Sequence, residues 1–366
     1  MSKNWPRVGR ISAALVASLA LAAGAAGCSG EPAAPVSGSG SSTAGAFTPI
    51  KADAKVALAF RMGSRVEPAL GAALKKAGFA VESRFADTGE DQDRYVGMLL
   101  DAKPAVLVVE AVDAGKLKGR LDQAEKDGVV VIAATALPKD DTTIDYYVGA
   151  DPKLRGEAQA EALLSGATGR RTKGAQRVEV LAGRSDDAAA KLQYDATIAK
   201  LKPKLDDKSF EMPSGEADFG KASLGSAGDA KGRVAGLLKD KYGEEAPEGV
   251  VAPWDAAALG AADAATEAKR QMPYVVGAGS SLAGVRALMQ GRLGATTWDD
   301  PTALGNAIAQ LVTDLKGKDR PVTDKSNIST GKREVGTRML APVTVVTRGN
   351  AKTLFANDAE LKKLTG

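Results

Sequence analysis

The chain contains no histidine, and a single cysteine among its 366 residues. These two absences exclude Ser-His and Cys-His nucleophilic catalysis, His/Cys zinc sites and any intrachain disulfide. Aromatic residues are scarce, at 4%. An excess of one charge is also missing: 49 Lys and Arg face 45 Asp and Glu, and removing residues 1–27 takes away only Lys3, Arg7 and Arg10, which leaves 46 against 45. A basic face for nucleic acid is therefore not expected. The uncharged run Ile11 to Ala23 is too short to span a bilayer.

That short run, behind the positive Lys3, Arg7 and Arg10, has the length of a signal-peptide apolar region. It leads into Ala25-Ala26-Gly27-Cys28. A lipoprotein peptidase needs small side chains there, because it must fit an extended backbone beside a diacylated thiol; Ala25 stands where Leu is more usual. We expect residues 1–27 to be a lipoprotein signal and Cys28 to be the lipidation site. Everything beyond would then lie on the extracytoplasmic face of the cell membrane, tethered by acyl chains. A free thiol in an oxidising compartment would be a liability unless chemically occupied. Residues 28–50 hold Pro32, Pro35, Gly38, Gly40 and Gly45 among Ser, Thr and Ala, the composition of a flexible linker.

From Lys55 onward, short apolar runs alternate with helical patterns. The runs are Val56 to Phe60, Ala80 to Phe85, Ala105 to Val109, Val129 to Ala134, Tyr146 to Gly149, Val178 to Leu181, Val250 to Ala252, Tyr274 to Val276 and Ala295 to Trp298. Between them lie apolar positions three or four apart, such as Leu70, Leu74 and Ala77, or Leu117, Leu121 and Ala124. Runs without clean alternation suggest parallel strands covered on both faces by crossover helices, an α/β fold doubly wound twice over. Gly78-Phe79 and Gly128-Val129 read as helix C-caps opening into strands. Ligands of such sheets bind beyond the carboxyl ends of the strands, which directs attention to Arg61 to Glu67, Glu110 to Asp113, Thr135 to Leu137, Gly183 to Asp187, Pro253 to Asp255, Gly277 to Ser280 and Trp298 to Asp300.

Six segments carry a family likeness: AKPAVLVVEAVDAGKLKGRLDQAEKDGVVVIAA, IDYYVGADPKLRGEAQAEALL, VEVLAGRSDDAAAKL, GVVAPWDAAALGAADAA, VVGAGSSLAGVRALMQGRLGATTW and MLAPVTVVTRGN. In this order the chain resembles the periplasmic sugar-binding proteins of the ribose, xylose and multiple-monosaccharide type, solute receptors of ABC importers. The resemblance implies a type I periplasmic binding protein fold of two parallel-sheet lobes joined by a three-strand hinge, with the ligand clamped between them. It places the crossings near Asp151, near Gly279 to Trp298 and near Arg333 to Arg338. The first lobe would comprise residues 51–151 plus 280–335, and the second 152–279 plus 336–366.

The anchor positions depart from the family pattern. Thr135 and Ala136 stand where relatives carry an Asp-Arg pair that holds sugar hydroxyls. Ala188 and Ala189 replace asparagines, Trp254-Asp255 keeps only the acid of an Asn-Asp pair, and Ala278-Gly279 replaces Gln-Asp. The remaining ligand-binding candidates are Arg61, Arg65, Thr135, Arg184, Trp254, Asp255 and Trp298. Arginine offers bidentate geometry to a polar or anionic ligand, although solvent-exposed loop arginines are the commoner case. The two tryptophans can stack on a sugar face or fill the hinge core. Asp255 can accept from a ligand hydroxyl or simply cap the helix that follows. Asp186 and Asp187 read as helix caps.

The leading expectation is thus a lipid-anchored substrate-binding protein that hands a sugar or sugar-like small solute to an ABC permease. No catalytic residues, metal or cofactor are expected, nucleic acid is not a partner, and the resemblance implies a monomer. The lost anchors motivate an alternative, a degenerate relative that serves as a sensor or envelope interaction protein without transport. A hydrolase built on paired carboxylates such as Asp186 and Asp255 has no motif that fixes their separation.

Overall fold

In the computed structural model, residues 47–138, 143–324, 335–340 and 343–366 are described. Residues 1–46, and with them the expected signal and Cys28, lie outside this set.

The first apolar run forms β1 (Lys55–Arg61), with Val56, Leu58 and Phe60 in one core and Ala57 and Ala59 in another. A strand buried on both faces needs a cover on each, and the following elements supply it. They are α1 (Glu67–Lys76), β2 (Ala80–Ala86), α2 (Gly89–Asp101), β3 (Val106–Val109), α3 (Ala114–Lys126), β4 (Val130–Ala134) and β5 (Tyr146–Ala150). Helices α2 and α3 bury Val96, Leu99, Leu117 and Leu121 on one face of the sheet. Gly78 and Gly128 end α1 and α3 at φ +89° and +70°, where a residue with a Cβ would be strained.

The chain then leaves the first sheet at Asp151, which caps α4 (Pro152–Ala167) by accepting from the amides of Lys153 (2.8 Å) and Leu154 (3.3 Å). There follow β6 (Gln176–Val180), α5 (Ala188–Asp206), β7 (Phe210–Glu211), α6 (Phe219–Ala222), α7 (Ala227–Leu237) and a π-helical turn (Leu238–Tyr242). Next come β8 (Gly249–Val251), α8 (Asp255–Glu267), β9 (Tyr274–Val276), α9 (Leu282–Met289), β10 (Thr296–Trp298), α10 (Pro301–Asp314), β11 (Gly336–Leu340), β12 (Thr344–Val346), α11 (Ala351–Leu354) and α12 (Leu361–Leu364).

The strands form a parallel six-stranded sheet ordered β11-β5-β4-β3-β1-β2 and a parallel four-stranded sheet ordered β7-β6-β8-β9. β10 extends the second sheet through a parallel bridge between Val276 and Ala295, and β12 pairs antiparallel with β10. The expected pair of doubly wound lobes is present.

The lobe boundaries differ from the expectation in three places. Residues 280–298 belong with the second lobe: the Gly277 amide donates to Ala295 O (2.9 Å), and α9 buries Val285 and Leu288 in the core that α8 shares. The chain returns to the first lobe only between Trp298 and Pro301, where α10 packs Leu304 and Ile308 against Leu70 and Leu74 of α1. The third crossing follows Leu340, because Gly336–Leu340 pairs in parallel with β5 at the edge of the first sheet, and residues 344–366 then complete the second lobe. Arg333, the expected start of this crossing, lies outside the described residues. The linker also ends earlier than expected, since Phe47 and Ile50 pack on the first core and the Ile50 amide donates to Leu315 O (3.0 Å).

Candidate functional site

The carboxyl ends of both sheets line one cavity of about 560 Å³. From the first lobe come Arg61 to Val66 after β1, Glu110 to Val112 after β3, and Thr135-Ala136 after β4. From the second come Gly183-Arg184 after β6, Pro253-Trp254 after β8, and Ala278-Gly279 with Ser281 after β9, joined by Asp187, Ala189, Ala190 and Gln193 near the start of α5. Arg155 and Asp299, one beside each of the first two crossings, complete the wall.

Thr135 occupies the left-handed region at φ +64°, a costly conformation for a β-branched residue. Its surroundings hold it there: its amide donates to Val148 O (3.0 Å), and its carbonyl accepts from the Tyr147 hydroxyl (3.2 Å). The Thr135 hydroxyl is thereby aimed at Glu110 Oε1, 3.2 Å away, which also faces Arg61 Nε at 3.1 Å. Glu110 is buried, and among the described residues its Oε2 has no hydrogen-bond partner.

Every arginine of the cavity faces a carboxylate. Arg61 meets Glu110, Arg155 pairs with Asp299, and Arg65 pairs with Asp358. Arg184 grips Asp186 with two bonds of 2.8 and 2.6 Å, which raises the guanidinium pKa and, against the cost of burial, holds the Asp186 carboxyl below its ordinary value. Arg155 Nε and Asp299 Oδ1 are buried without a hydrogen-bond partner among the described residues.

The two lobes touch around the cavity. Asp187 Oδ1 accepts from the Leu137 amide (3.1 Å), and the Ala188 amide donates back to Leu137 O (2.9 Å). Part of Asp187 stays accessible, but its carboxyl group is set deeply enough that desolvation pushes its pKa up to about 6, against the amides of Leu137, Ala190 and Ala189 that favour the anion. Arg184 also reaches Asp113 of the first lobe at 3.7 Å, and Arg65 reaches Asp358 and Glu360 of the second.

Of the seven residues singled out in the sequence, Arg61, Arg65, Thr135, Arg184 and Trp254 line the cavity, whereas Asp255 and Trp298 do not. Asp255 is 2% exposed and accepts from the Ser281 amide (2.6 Å), the Ser281 hydroxyl (2.9 Å) and the Thr296 hydroxyl (2.6 Å). Gly277 and Gly284 press so closely on this carboxylate that a Cβ on either would collide with it. It is a clasp between α8, the loop before α9 and β10, and burial pushes its pKa up to about 6 despite those three donors. Trp298 sets its ring edge-on to Phe355, 5.1 Å between centroids, and packs on the second core, with Arg65 5.7 Å above it. Trp254, at the N-cap of α8, keeps its ring beside Gly183 and faces the cavity.

Sequence reasoning passed over Gln193 and Arg155, and it named Glu110 and Asp299 only as members of the loops after strands, without singling them out. Glu110 carried a readable signal, an acid directly after the four apolar residues of β3. Asp299 followed a strand and was readable by position, but its pairing with Arg155 was not, because only the fold brings together residues 144 positions apart. Among the described residues no cluster of His, Cys, Asp and Glu is arranged to hold a metal ion, and no helix is long and apolar enough to cross a membrane.

A family model described as a periplasmic binding protein domain matches residues 61–319. The chain is 26% identical over 281 residues to the multiple sugar-binding periplasmic receptor ChvE of Rhizobium radiobacter, covering 74% of this chain and 79% of that protein. It is 25% identical over 276 residues to the multiple sugar-binding periplasmic protein SbpA of Azospirillum brasilense, covering 73% and 77%. Among solved structures, an ABC transporter solute-binding protein of Clostridium phytofermentans with bound β-D-glucose superposes with a TM-score of 0.76 at 23% identity, over 85% of this chain and all (100%) of that one. A carbohydrate transporter solute-binding protein of Chloroflexus aurantiacus in complex with D-glucose gives 0.70 at 22% identity, over 83% and 96%.

Proposed function

The chain belongs to the periplasmic binding protein family, and on that premise we propose that it is an extracytoplasmic receptor that clamps a neutral sugar or sugar-like solute between its lobes and presents it to an ABC permease. The observation that carries the neutral ligand is the pairing inside the cavity: Arg61, Arg65, Arg155 and Arg184 each already face a carboxylate. An anionic ligand would have to displace those partners, whereas hydroxyl groups can donate to the carboxylates and accept from the guanidiniums without separating them. The indole of Trp254 adds an apolar face suited to the C–H side of a pyranose. Binding would shift the lobes toward the state in which both walls touch the ligand, because only that state makes all the contacts.

The same reading makes the protein a monomer held to the membrane through acylated Cys28 and a tether up to about residue 46. Relatives that bind several sugars by name support the ligand class. The test is thermal unfolding with D-glucose, D-xylose, D-galactose and myo-inositol, beside D-glucuronate and glucose 6-phosphate. A ligand at one hundred times its Kd stabilises by about 2.7 kcal/mol, so at least one neutral solute should raise Tm by several degrees while the anions do not. Trp254→Ala should erase that rise. Stabilisation by the anions alone, or by none of the compounds, overturns the proposal.

A further inference from the structure

We propose that Gln193 determines specificity in this cavity by presenting an amide oxygen that can only accept a hydrogen bond. The inference rests on the sugar-receptor reading and names one of its contacts. Gln193 lies near the start of α5, is 7% exposed and lines the cavity.

The orientation of its amide is dictated from below. Gln159 of α4 is fully buried, and its Nε2 donates to Ala252 O (2.8 Å) and Gly277 O (3.0 Å), the carbonyls at the ends of β8 and β9. A carbonyl can only accept, so Gln159 cannot be flipped without losing both bonds. Its Oε1 must then be the atom that faces Gln193, and it accepts from Gln193 Nε2 at 2.7 Å. The second proton of that amino group is directed to Pro253 O at 3.2 Å. Both protons of Gln193 are thereby committed to acceptors, and turning its amide over would set an oxygen against two oxygens.

One atom is left over. Gln193 Oε1 makes no hydrogen bond among the described residues, and its place in the chain of amides fixes it as an acceptor. The backbone holds the side chain at this depth. A Cβ at Gly156 would collide with Gln193 O, and the Thr197 hydroxyl donates to Gly156 O (3.1 Å), so α4 and α5 approach closely at this point. A ligand filling the cavity therefore meets an oxygen that a hydroxyl can satisfy and that a deoxy carbon, an ether oxygen or a carboxylate cannot. A buried acceptor left unpaired by a missing hydroxyl corresponds to roughly a 5- to 150-fold loss of affinity.

The test is calorimetric titration of D-glucose and of its 2-, 3-, 4- and 6-deoxy analogues into wild type and Gln193→Met, which keeps the length of the side chain and removes its polar atoms. The expected result is that one deoxy analogue binds wild type about 10- to 100-fold more weakly than glucose, and that the variant binds glucose and this analogue equally. Variant and wild type with the same affinities across the series overturn the inference while leaving the sugar reading intact; this is the outcome if Oε1 turns instead into the adjoining space of about 10 Å³ beside Tyr194 and Thr197. Wild type that binds none of the sugars overturns the sugar reading and this inference with it. If the variant fails to fold, the side-chain amide protons of Gln193 in wild type decide: protection from solvent exchange relative to exposed glutamines supports the lock, and free exchange refutes it.

Discussion

Asp255 offers a decisive perturbation, because sequence and structure assign it different work. A ligand-binding carboxylate would be solvated and ionised in the empty protein, but the structure buries this one and pushes its pKa from 3.8 up to about 6, with desolvation the largest cause. The folded state then binds a proton that the unfolded state has already released between these two values, so stability must fall as pH rises through this window. A shift of about 2 units is worth about 3 kcal/mol in full. Integrated, roughly half of it should appear between about pH 7.5 and pH 5, with the protein more stable at the lower pH. Asp187 is pushed the same way and adds to the trend, while Asp186, held low by Arg184, opposes it. The variant Asp255→Asn isolates the one contribution. Its amide fits the space between Gly277 and Gly284, with its oxygen still accepting from the Ser281 amide and hydroxyl and the Thr296 hydroxyl turned to accept from its amino group. Urea unfolding followed by tryptophan fluorescence should show wild type gaining about 1–2 kcal/mol on the variant as the pH is lowered over that range. Parallel pH profiles would refute the argument; a wild type that loses ground to the variant on acidification would show that the three donors outweigh burial and hold the carboxylate ionised.

Two further outcomes follow, one from the same geometry and one from the proposed lipid anchor. Gly156→Ala forces a methyl group against the Gln193 carbonyl and should lower stability by about 1–3 kcal/mol through overpacking of α4 on α5, measured by denaturant midpoint; an unchanged midpoint would mean the helices part at little cost. Cys28→Ser should release the protein from the membrane fraction and abolish incorporation of labelled palmitate, and a variant that still sediments with membranes would refute the anchor.

Most strands legible in the sequence are buried on both faces, although the half-exposed edge strand β2 was also read from its run Ala80 to Phe85. β1, β3 and β4 read as continuous apolar runs because helices cover both sides, and the sequence has no other use for such runs. The strands that escaped are edges: Phe210–Glu211 is two residues long, and Gly336–Leu340 is largely half-exposed and reads GTRML, a pattern any loop can carry. The resemblance placed the second crossing near Gly279 to Trp298 and the third near Arg333 to Arg338, and nothing local in the sequence reveals that α9 returns to the core of α8 or that Gly336–Leu340 pairs with β5.

In the cavity, position after a strand was readable and partnership was not. Arg61, Thr135 and Trp254 lie at or shortly after strand ends and were found by that rule; Asp255 was found the same way, yet it is the first residue of α8 and its side chain points into the protein. The apparent loss of polar anchors at Ala136, Ala188, Ala189 and Ala278 is likewise a local observation. Glu110, Gln193 and the Arg155–Asp299 pair bring polar groups to the wall, and of these only Glu110 and Asp299 lie directly after strands.

The contacts across the cleft are of a strength that suits a clamp. Arg184 and Asp113 are each about one-third exposed and 3.7 Å apart, a separation at which such pairs contribute about 0–1 kcal/mol, and the better buried pair of Arg65 with Asp358 belongs to the same partly solvated class. The reciprocal bonds between Leu137 and the Asp187-Ala188 segment add about 0.5–1.5 kcal/mol each. Together they fall within a few kcal/mol. A ligand must supply about 5.5 kcal/mol of differential affinity to carry a two-state equilibrium from one extreme to the other. Of the cavity's polar groups, Glu110 belongs to the first lobe and Gln193, Arg155 and Trp254 to the second, so a ligand that bonded Glu110 as well as the second wall would gain contacts that exist only in the closed state. The distribution of polar atoms over the two lobes is therefore what would couple occupancy to closure.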